Sequence, residues 1–454
     1  MKKEKDSSRI ANVWNFMDRF RGDKVILLIA LFLMLISVIS VFSSTPLLAL
    51  ELHSDRVSIM MSQLKVVAIG AVLLFLFYWL GRSEWYRKIS MLGFAVSFAI
   101  LVVLVFKLNL GFVKAGSING AWRILVVMGK QIHVYEFVKV FMILYLAWAL
   151  DTYKQGAFVW VNRIAAKSDK LAFLTKPFAQ KLIYIYIPIA AVTLMVMIGS
   201  NSSAFFIGFI MVAMILIGGI DLKDVAVVVA ALLVGLGIMF GTYRLGWLEG
   251  SRFGTLVGRI TQDDAAVMNT LLTSQKGSKE YNEARDELKQ PIGALLAIQE
   301  GGLLGKGIGN STQKYAVPVI FGDYMFSFII EETGLWGAAI LILLYFSLLA
   351  RGTMVAKECD NYYDKIVVSG LIILVTGQAF MHMAVNVHLP LVPQTGQTLP
   401  LVSHGTNAFI VFSIVFGILL SISKDAHENI RRREDEAEPI IAHRDDHWTQ
   451  NTTA

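Results

Sequence analysis

Cysteine is almost missing from this chain of 454 residues: Cys359 stands alone. A single thiol excludes an intramolecular disulfide and any Cys-x-x-Cys metal site, and it argues against redox chemistry. Charge is scarce as well. Asp, Glu, Lys and Arg make up 17% of the residues against 56% hydrophobic ones, with a mean hydropathy of +0.60, too apolar for a soluble domain whose surface must be polar. The histidines at 382, 388 and 404 lack metal-ligand spacing, which leaves a structural or hydrogen-bonding role as the simpler reading. No internal repeat is visible. No cleavable signal peptide is expected, because the first apolar run follows a charged arm and Ser43-Ser44-Thr45-Pro46 is a poor cleavage site.

What the chain has in abundance is apolar runs. Crossing a hydrocarbon core takes roughly 20 residues, and runs near that length fall at 25–44, 64–80, 91–106, 133–150, 182–199, 203–220, 225–240, 324–350, 366–387 and 406–422. The pattern predicts an all-α integral membrane protein of about ten transmembrane helices, with a large extracytoplasmic loop between helices 7 and 8. The expected organisation is a cytoplasmic arm at 1–24, a polytopic membrane domain at 25–423 with the loop at about 242–322, and a charged, solvated cytoplasmic tail at 424–454. Basic residues precede helix one (Lys2, Lys3, Lys5, Arg9, Arg19, Arg21, Lys24), follow helix two (Arg82, Arg87, Lys88), fill the loop between helices four and five (Arg163, Lys167, Lys170, Lys176, Lys181) and follow helix ten (Arg431 to Arg433). With an even helix count all of these share one side, which the positive-inside rule assigns to the cytoplasm, with both termini. Cys359 then lies inside and 242–322 outside. The net charge of +7 is explained by topology and by contact with anionic membrane lipids, so no nucleic-acid partner is expected. Within the loop, Pro291 to Leu304 has apolar residues at helical spacing, suited to lying along the outer membrane surface. Pro188 should kink the fifth helix.

Three constellations carry possible chemistry. The stretch GGLLGKGIGNSTQKYAVPVIFGDYMFSFIIEETG, residues 301–334, sets Asp323 where a polar loop turns into an apolar helix. A carboxylate there is costly. It reads either as a helix N-cap or as a functional acid. The glycines at 301, 302, 305, 307 and 309 have neither Walker nor dinucleotide spacing. They read as a flexible turn, or as a backbone surface that, with Lys306 and Lys314, approaches a diphosphate. Glu331 and Glu332 lie two turns deeper, where buried carboxylates must be protonated or paired. Glu136 and Lys139, spaced i,i+3 in an otherwise apolar helix, form either a surface ion pair or a pair lining a cavity. The Pro- and Gly-broken segment 393–405 precedes the last helix, and such backbone survives at membrane depth only when protein or a wet cavity covers it.

These stretches together resemble the SEDS family (FtsW/RodA) of bacterial cell-wall glycosyltransferases. The likeness rests on G-L-x-G-x-G-x-G-N-S-x-Q-K followed by D-x-x-F and E-E-x-G, on the charges of the family's E-x-x-K at Glu136 and Lys139, and on Asn119-Gly120-Ala121-Trp122-Arg123. It rests also on Pro393 to Gly405, similar to P-x-x-G-x-T-L-P-F-x-S-Y-G. The chain departs from the pattern at His404, which stands for a tyrosine, at Thr406-Asn407, which stand for Gly-Ser, and at Gly199 to Ser203, which lack the usual acidic residue. Asn310-Ser311-x-Gln313-Lys314 and Thr398-Leu399-Pro400 are more similar to the division branch, FtsW, than to the elongation branch, RodA.

The resemblance implies polymerisation of lipid II, an undecaprenyl-diphosphate-linked disaccharide peptide, into peptidoglycan at the outer face of the inner membrane during cell division. Asp323 is then the expected catalytic residue, as general base or as ligand of a divalent cation, Mg or Mn, which the sequence does not separate. Glu136, Lys139, Arg123, Lys306, Gln313, Lys314 and Ser403 are the expected substrate-binding residues. Undecaprenyl diphosphate is the expected product, and a class B penicillin-binding transpeptidase with other division proteins the expected partners. Two other classes fit ten helices with buried charges: a transporter that flips lipid-linked precursors, and a scaffold that only positions a transpeptidase.

Overall fold

Apolar residues on every side of most helices leave lipid or other helices as the only surroundings they can have, and the computed structural model has that architecture. It describes residues 19–451 except 119–120, 166–168, 227–228, 231–236, 238–240, 242–263, 390–391 and 393. Most of the expected helix 225–240, the first part of the loop, Asn119, Gly120 and Pro393 of the motifs, and the arm 1–18 therefore lie outside the described residues.

Seven of the described helices are long and apolar enough to cross a membrane. Five open and close the chain: α1 (Lys24–Ser44), α3 (Arg56–Leu80), α4 (Ser83–Val105), α12 (Tyr362–Asn386) and α13 (Thr406–Asn451, membrane part Thr406–Arg433). The other two are α7 (Pro177–Gly199) and α11 (Met325–Glu358). The short α2 (Pro46–Glu51) follows α1, α6 (Val159–Ala165) precedes α7, and α8 (Asn201–Ile217) is an apolar helix of 17 residues. The expected run 133–150 is also a helix, α5 (Val134–Lys154), but its charged residues keep it out of the purely apolar set. α5 is buried along most of its length, from Val134 to Thr152, and is the central post of the bundle. Helices α9 (Asp264–Thr273) and α10 (Lys279–Gly301) fall within the span expected to be the loop, 242–322.

The helical class holds, with one small addition. Between α4 and α5 the chain forms an antiparallel sheet of β1 (Val113–Ile118), β2 (Ala121–Val127) and β3 (Lys130–His133), in that order, with Val113 opposite Val127 and Ile124 opposite His133. The β2–β3 turn uses Met128 and Gly129 at φ of 49° and 82°, two positive-φ residues in succession, which suits the twist of a tight hairpin. β3 runs directly into α5, so the sheet fixes where that helix begins.

Pro188 does disturb its helix, and the disturbance is absorbed. A π-turn, Leu182–Tyr186, lies just before it. A proline cannot donate to the carbonyl four residues back, and that carbonyl, on Tyr184, instead accepts the hydroxyl of Tyr145 from α5 at 2.9 Å. One end of the bundle is laced by ions. Asp23 caps α1 by accepting from the N–H groups of Val25 and Ile26, both at 2.9 Å, and also pairs with Arg351 of α11. Arg87 meets buried Asp151 at 2.6 Å, and Lys181 meets Asp224 at 2.5 Å. The opposite end carries the sheet, α10, the glycine-rich segment and Asp323.

Candidate active site

An Asp immediately before a helix invites the capping interpretation, and here the structure decides against it. The N-cap of α11 is Tyr324, whose side chain makes no capping bond. The first-turn N–H groups that need acceptors are served from α12. The N–H of Phe326 donates to Nε2 of His382 at 3.3 Å, and the N–H of Ser327 donates to Oδ1 of Asn386 at 3.0 Å. The Asp323 carboxylate is thereby released from helix capping, and no donor among the described residues bonds to it. Gly396 presses against it so closely that a Cβ there would stand 2.6 Å from Oδ2. Burial pushes the carboxyl up to about 6, against the field of Arg123 on β2, which works in the other direction.

The charged pair of α5 is internal. Lys139 is 1% exposed; its ammonium donates to Oε1 of Glu136 at 2.8 Å and to Oε1 of Gln378 on α12 at 2.7 Å. The Gln378 amide in turn donates to the Thr398 carbonyl at 3.0 Å, so the pair is wired to the broken segment that holds Gly396. A lysine this deep is stable as a cation only with such partners. The surface-pair interpretation therefore does not describe it. Around this region three buried polar atoms have no hydrogen-bond partner among the described residues: Nε of Arg123, Oε2 of Glu136 and Oγ1 of Thr395. Buried polar atoms are normally satisfied, and a polar ligand entering between β2, α5 and the 394–404 segment would supply what they lack.

The remaining expected residues have internal duties. Ser403 is buried; its hydroxyl donates to the Gly322 carbonyl at 2.7 Å and accepts from the N–H of Leu399 at 2.9 Å, which ties the turn before Asp323 to the broken segment. Lys306 donates to Glu331 at 3.0 Å and to Thr312 at 2.7 Å, and pairs with Glu300. Lys314 is 2% exposed and donates to the Gly309 carbonyl at 2.6 Å. Gln313 offers its backbone N–H to Glu331 at 3.2 Å. Lys306, Lys314 and Gln313 thus all make contacts that hold the loop in shape.

The organiser of that loop is the Glu331-Glu332 pair. Glu331, fully buried, accepts from Ser311 Oγ at 2.5 Å and the N–H of Thr312 at 2.6 Å, besides Lys306 and Gln313. Glu332 accepts from Ser43 of α1 at 2.5 Å and from the N–H of Gly309 at 2.9 Å. The glycine N–H groups are thus spent within the protein, Gly309 on the Glu332 carboxylate and Gly302, Gly305 and Gly307 on the Ile298, Gly301 and Glu332 carbonyls, which argues against their cradling a diphosphate. Gly305 and Gly334 both have positive φ, 78° and 73°, and the Cβ of either would collide with the other's backbone or its neighbour's. That close approach is what the glycines are for.

No group of three His, Cys, Asp or Glu side chains among the described residues is arranged to hold a metal ion. Two contributions were not evident from sequence: the packing of Gly396 on the carboxylate, and the capping of α11 by His382 and Asn386. The second has a visible signal, since Gln378, His382 and Asn386 recur every four residues on an apolar helix and so share one face.

A family model described as cell cycle protein, covering FtsW, RodA and SpoVE, matches residues 23–428. A Methylomonas methanica protein named probable peptidoglycan glycosyltransferase FtsW is 26% identical over 418 residues, which is 90% of this chain and 94% of that protein. Stage V sporulation protein E of Bacillus subtilis is 25% identical over 414 residues, 88% of this chain and 97% of that protein. Among solved structures, a chain from work described as "Structural coordination of polymerization and crosslinking by a peptidoglycan synthase complex" is similar at a TM-score of 0.62 and 19% identity, covering 89% of this chain and 98% of that one. The rod shape determining protein RodA of Thermus thermophilus is similar at 0.55 and 20% identity, covering 90% and 99%. These structural likenesses show the fold, and because the family model spans well over half of the sequence, the chain belongs to the FtsW/RodA/SpoVE family of multi-pass membrane proteins.

Proposed function

We propose that this protein is a peptidoglycan glycosyltransferase that polymerises lipid II at the outer face of the cytoplasmic membrane during cell division. The relatives' names support the activity, and the basic, ion-laced end of the bundle, taken as cytoplasmic, directs Asp323 outward. The observation that carries the mechanism is a half-buried carboxylate with no hydrogen bond among the described residues, packed against Gly396, pushed up to about 6, and lying in the field of Arg123, whose Nε is itself without a partner there.

In this reading the 4-hydroxyl oxygen of the acceptor sugar attacks the anomeric carbon of the lipid-linked donor. Its proton passes to Asp323, the C–O bond to the diphosphate breaks, and undecaprenyl diphosphate departs with the electron pair. A base whose pKa lies near the operating pH is charged often enough to act and basic enough to be useful. Arg123, with an unsatisfied Nε, and Lys139, held by Glu136 and Gln378, supply positive charge toward the leaving diphosphate. A divalent ion such as Mg would act as a Lewis acid on the diphosphate. Among the described residues no group of three His, Cys, Asp or Glu side chains joins Asp323 to hold such an ion, and no step is assigned to one. A class B penicillin-binding transpeptidase is the natural partner, in keeping with the synthase complex whose chain shares this fold.

The test is polymerisation of labelled lipid II by the purified chain, alone and with such a transpeptidase. Glycan strands support the enzyme. Movement of labelled lipid across a vesicle membrane without bond formation would establish the flippase instead.

A further inference from the structure

We infer that Asn386 of α12 is a positioning residue that sets the Asp323 turn through the Asp323 backbone. This rests on Asp323 being the base. The Asn386 amide is used on both sides at once. Its Nδ2 donates to the Asp323 carbonyl at 3.0 Å and to the His382 carbonyl at 2.8 Å; its Oδ1 accepts from the N–H and the hydroxyl of Ser327 at 3.0 and 2.9 Å. Two donors and two acceptor sites are all a primary amide has. Asparagine is therefore the side chain of this size that can hold the carbonyl before α11 and the first turn of α11 together. Asp323 lies between two such holds, because its own N–H donates to the Val319 carbonyl at 3.1 Å and the preceding Gly322 carbonyl accepts from Ser403.

His382, one turn earlier on the same face of α12, completes the clamp. Its Nε2 accepts from the N–H of Phe326, so the ring proton is on Nδ1, which donates to the Gln397 carbonyl at 2.6 Å. The imidazole is neutral with its tautomer fixed by these two bonds. Through it, α12 joins the start of α11 to the residue following Gly396, and Gly396 is what presses on the carboxylate. The base and the backbone packed on it are thus referred to one helix.

The experiment compares purified wild type, Asn386→Asp, Asn386→Ala and Ser327→Ala in lipid II polymerisation. It records kcat, KM, the pH profile, and folding by thermal melting. Asn386→Asp keeps the shape but removes both donors and sets a carboxylate against two carbonyls. The expected result for both Asn386 variants, folded, is a fall in kcat of roughly 10- to 100-fold with KM changed less than about threefold. The acid limb of kcat/KM should also move from about 6 toward the ordinary carboxylate range, because a released turn lets water reach the carboxyl. The groups that bear on this limb are Arg123 from β2, neutral His382 from α12 and buried His404 from the broken segment. Ser327→Ala, which removes the hydroxyl donor to the Asn386 Oδ1 and carbonyl but keeps the Ser327 N–H bond to Oδ1, should give a smaller change in the same direction, and it carries the test if the Asn386 variants do not fold. Folded variants with wild-type kcat and an unmoved acid limb would overturn the positioning role. Asp323→Asn in the same assay separates the two claims: its activity would overturn the base reading itself, whatever the Asn386 variants do.

Discussion

At the scale of single residues, the proposed activity depends on where one carboxylate sits. Gly396→Ala tests that placement without touching Asp323. Gly396 is exposed and not at positive φ, so the backbone accepts alanine, yet the new methyl would stand 2.6 Å from Oδ2 and must displace it. The expected result is a folded protein with kcat reduced on the order of 10²-fold, read in a lipid II polymerisation assay. The pH dependence follows from the same group. Its folded pKa is raised, so the base form fails as pH falls through about 6, and kcat/KM should decline below that pH with unit slope. Lys139→Met leaves Glu136 without its cation and Gln378 without its donor, and breaking a buried pair this way costs roughly 3–5 kcal/mol, so the melting temperature should drop along with activity. Glu136→Gln keeps an acceptor for Lys139 and should lower stability less. The sequence exposed Asp323, Glu136 and Lys139 because charge is conspicuous in apolar surroundings. It could not expose Gly396 or the true caps of α11, because those depend on distances between segments far apart in the chain.

At the scale of elements, the glycine-rich segment shows how one pattern supports two physical interpretations. Glycines beside lysines suit a phosphate cradle, and they equally suit a loop pressed onto a helix. The carboxylates of Glu331 and Glu332 and the mutual approach of Gly305 and Gly334 favour the second. Gly305→Ala should therefore destabilise the protein, since a residue at φ of 78° meets the Glu332 carbonyl at 2.3 Å. Faster limited proteolysis near 301–314 and a lower melting temperature are the expected readouts, and an unchanged melt would contradict the tight packing. Helices α1, α3, α4, α7, α11, α12 and α13 were legible as long apolar runs. The sheet was not, because each strand is short and β2 lacks a clear alternation of apolar and polar residues, Arg123 being its one charged residue.

At the scale of the whole molecule, the reading requires that Asp323 face outward. Cys359 cannot report this, because it is buried and its thiol is pushed up to about 12. In a Cys359→Ser background, Gln275→Cys in the large loop and Lys357→Cys at the end of α11 are both exposed positions. An impermeant maleimide on intact spheroplasts should label the first and spare the second; the reverse pattern would put the site where outward-facing lipid II is absent. The most direct test of the central claim is glycan synthesis from labelled lipid II by purified wild type and Asp323→Asn, both with matching thermal melts. Polymer from wild type and none from Asp323→Asn is the predicted result, and near-normal polymer from Asp323→Asn would contradict it.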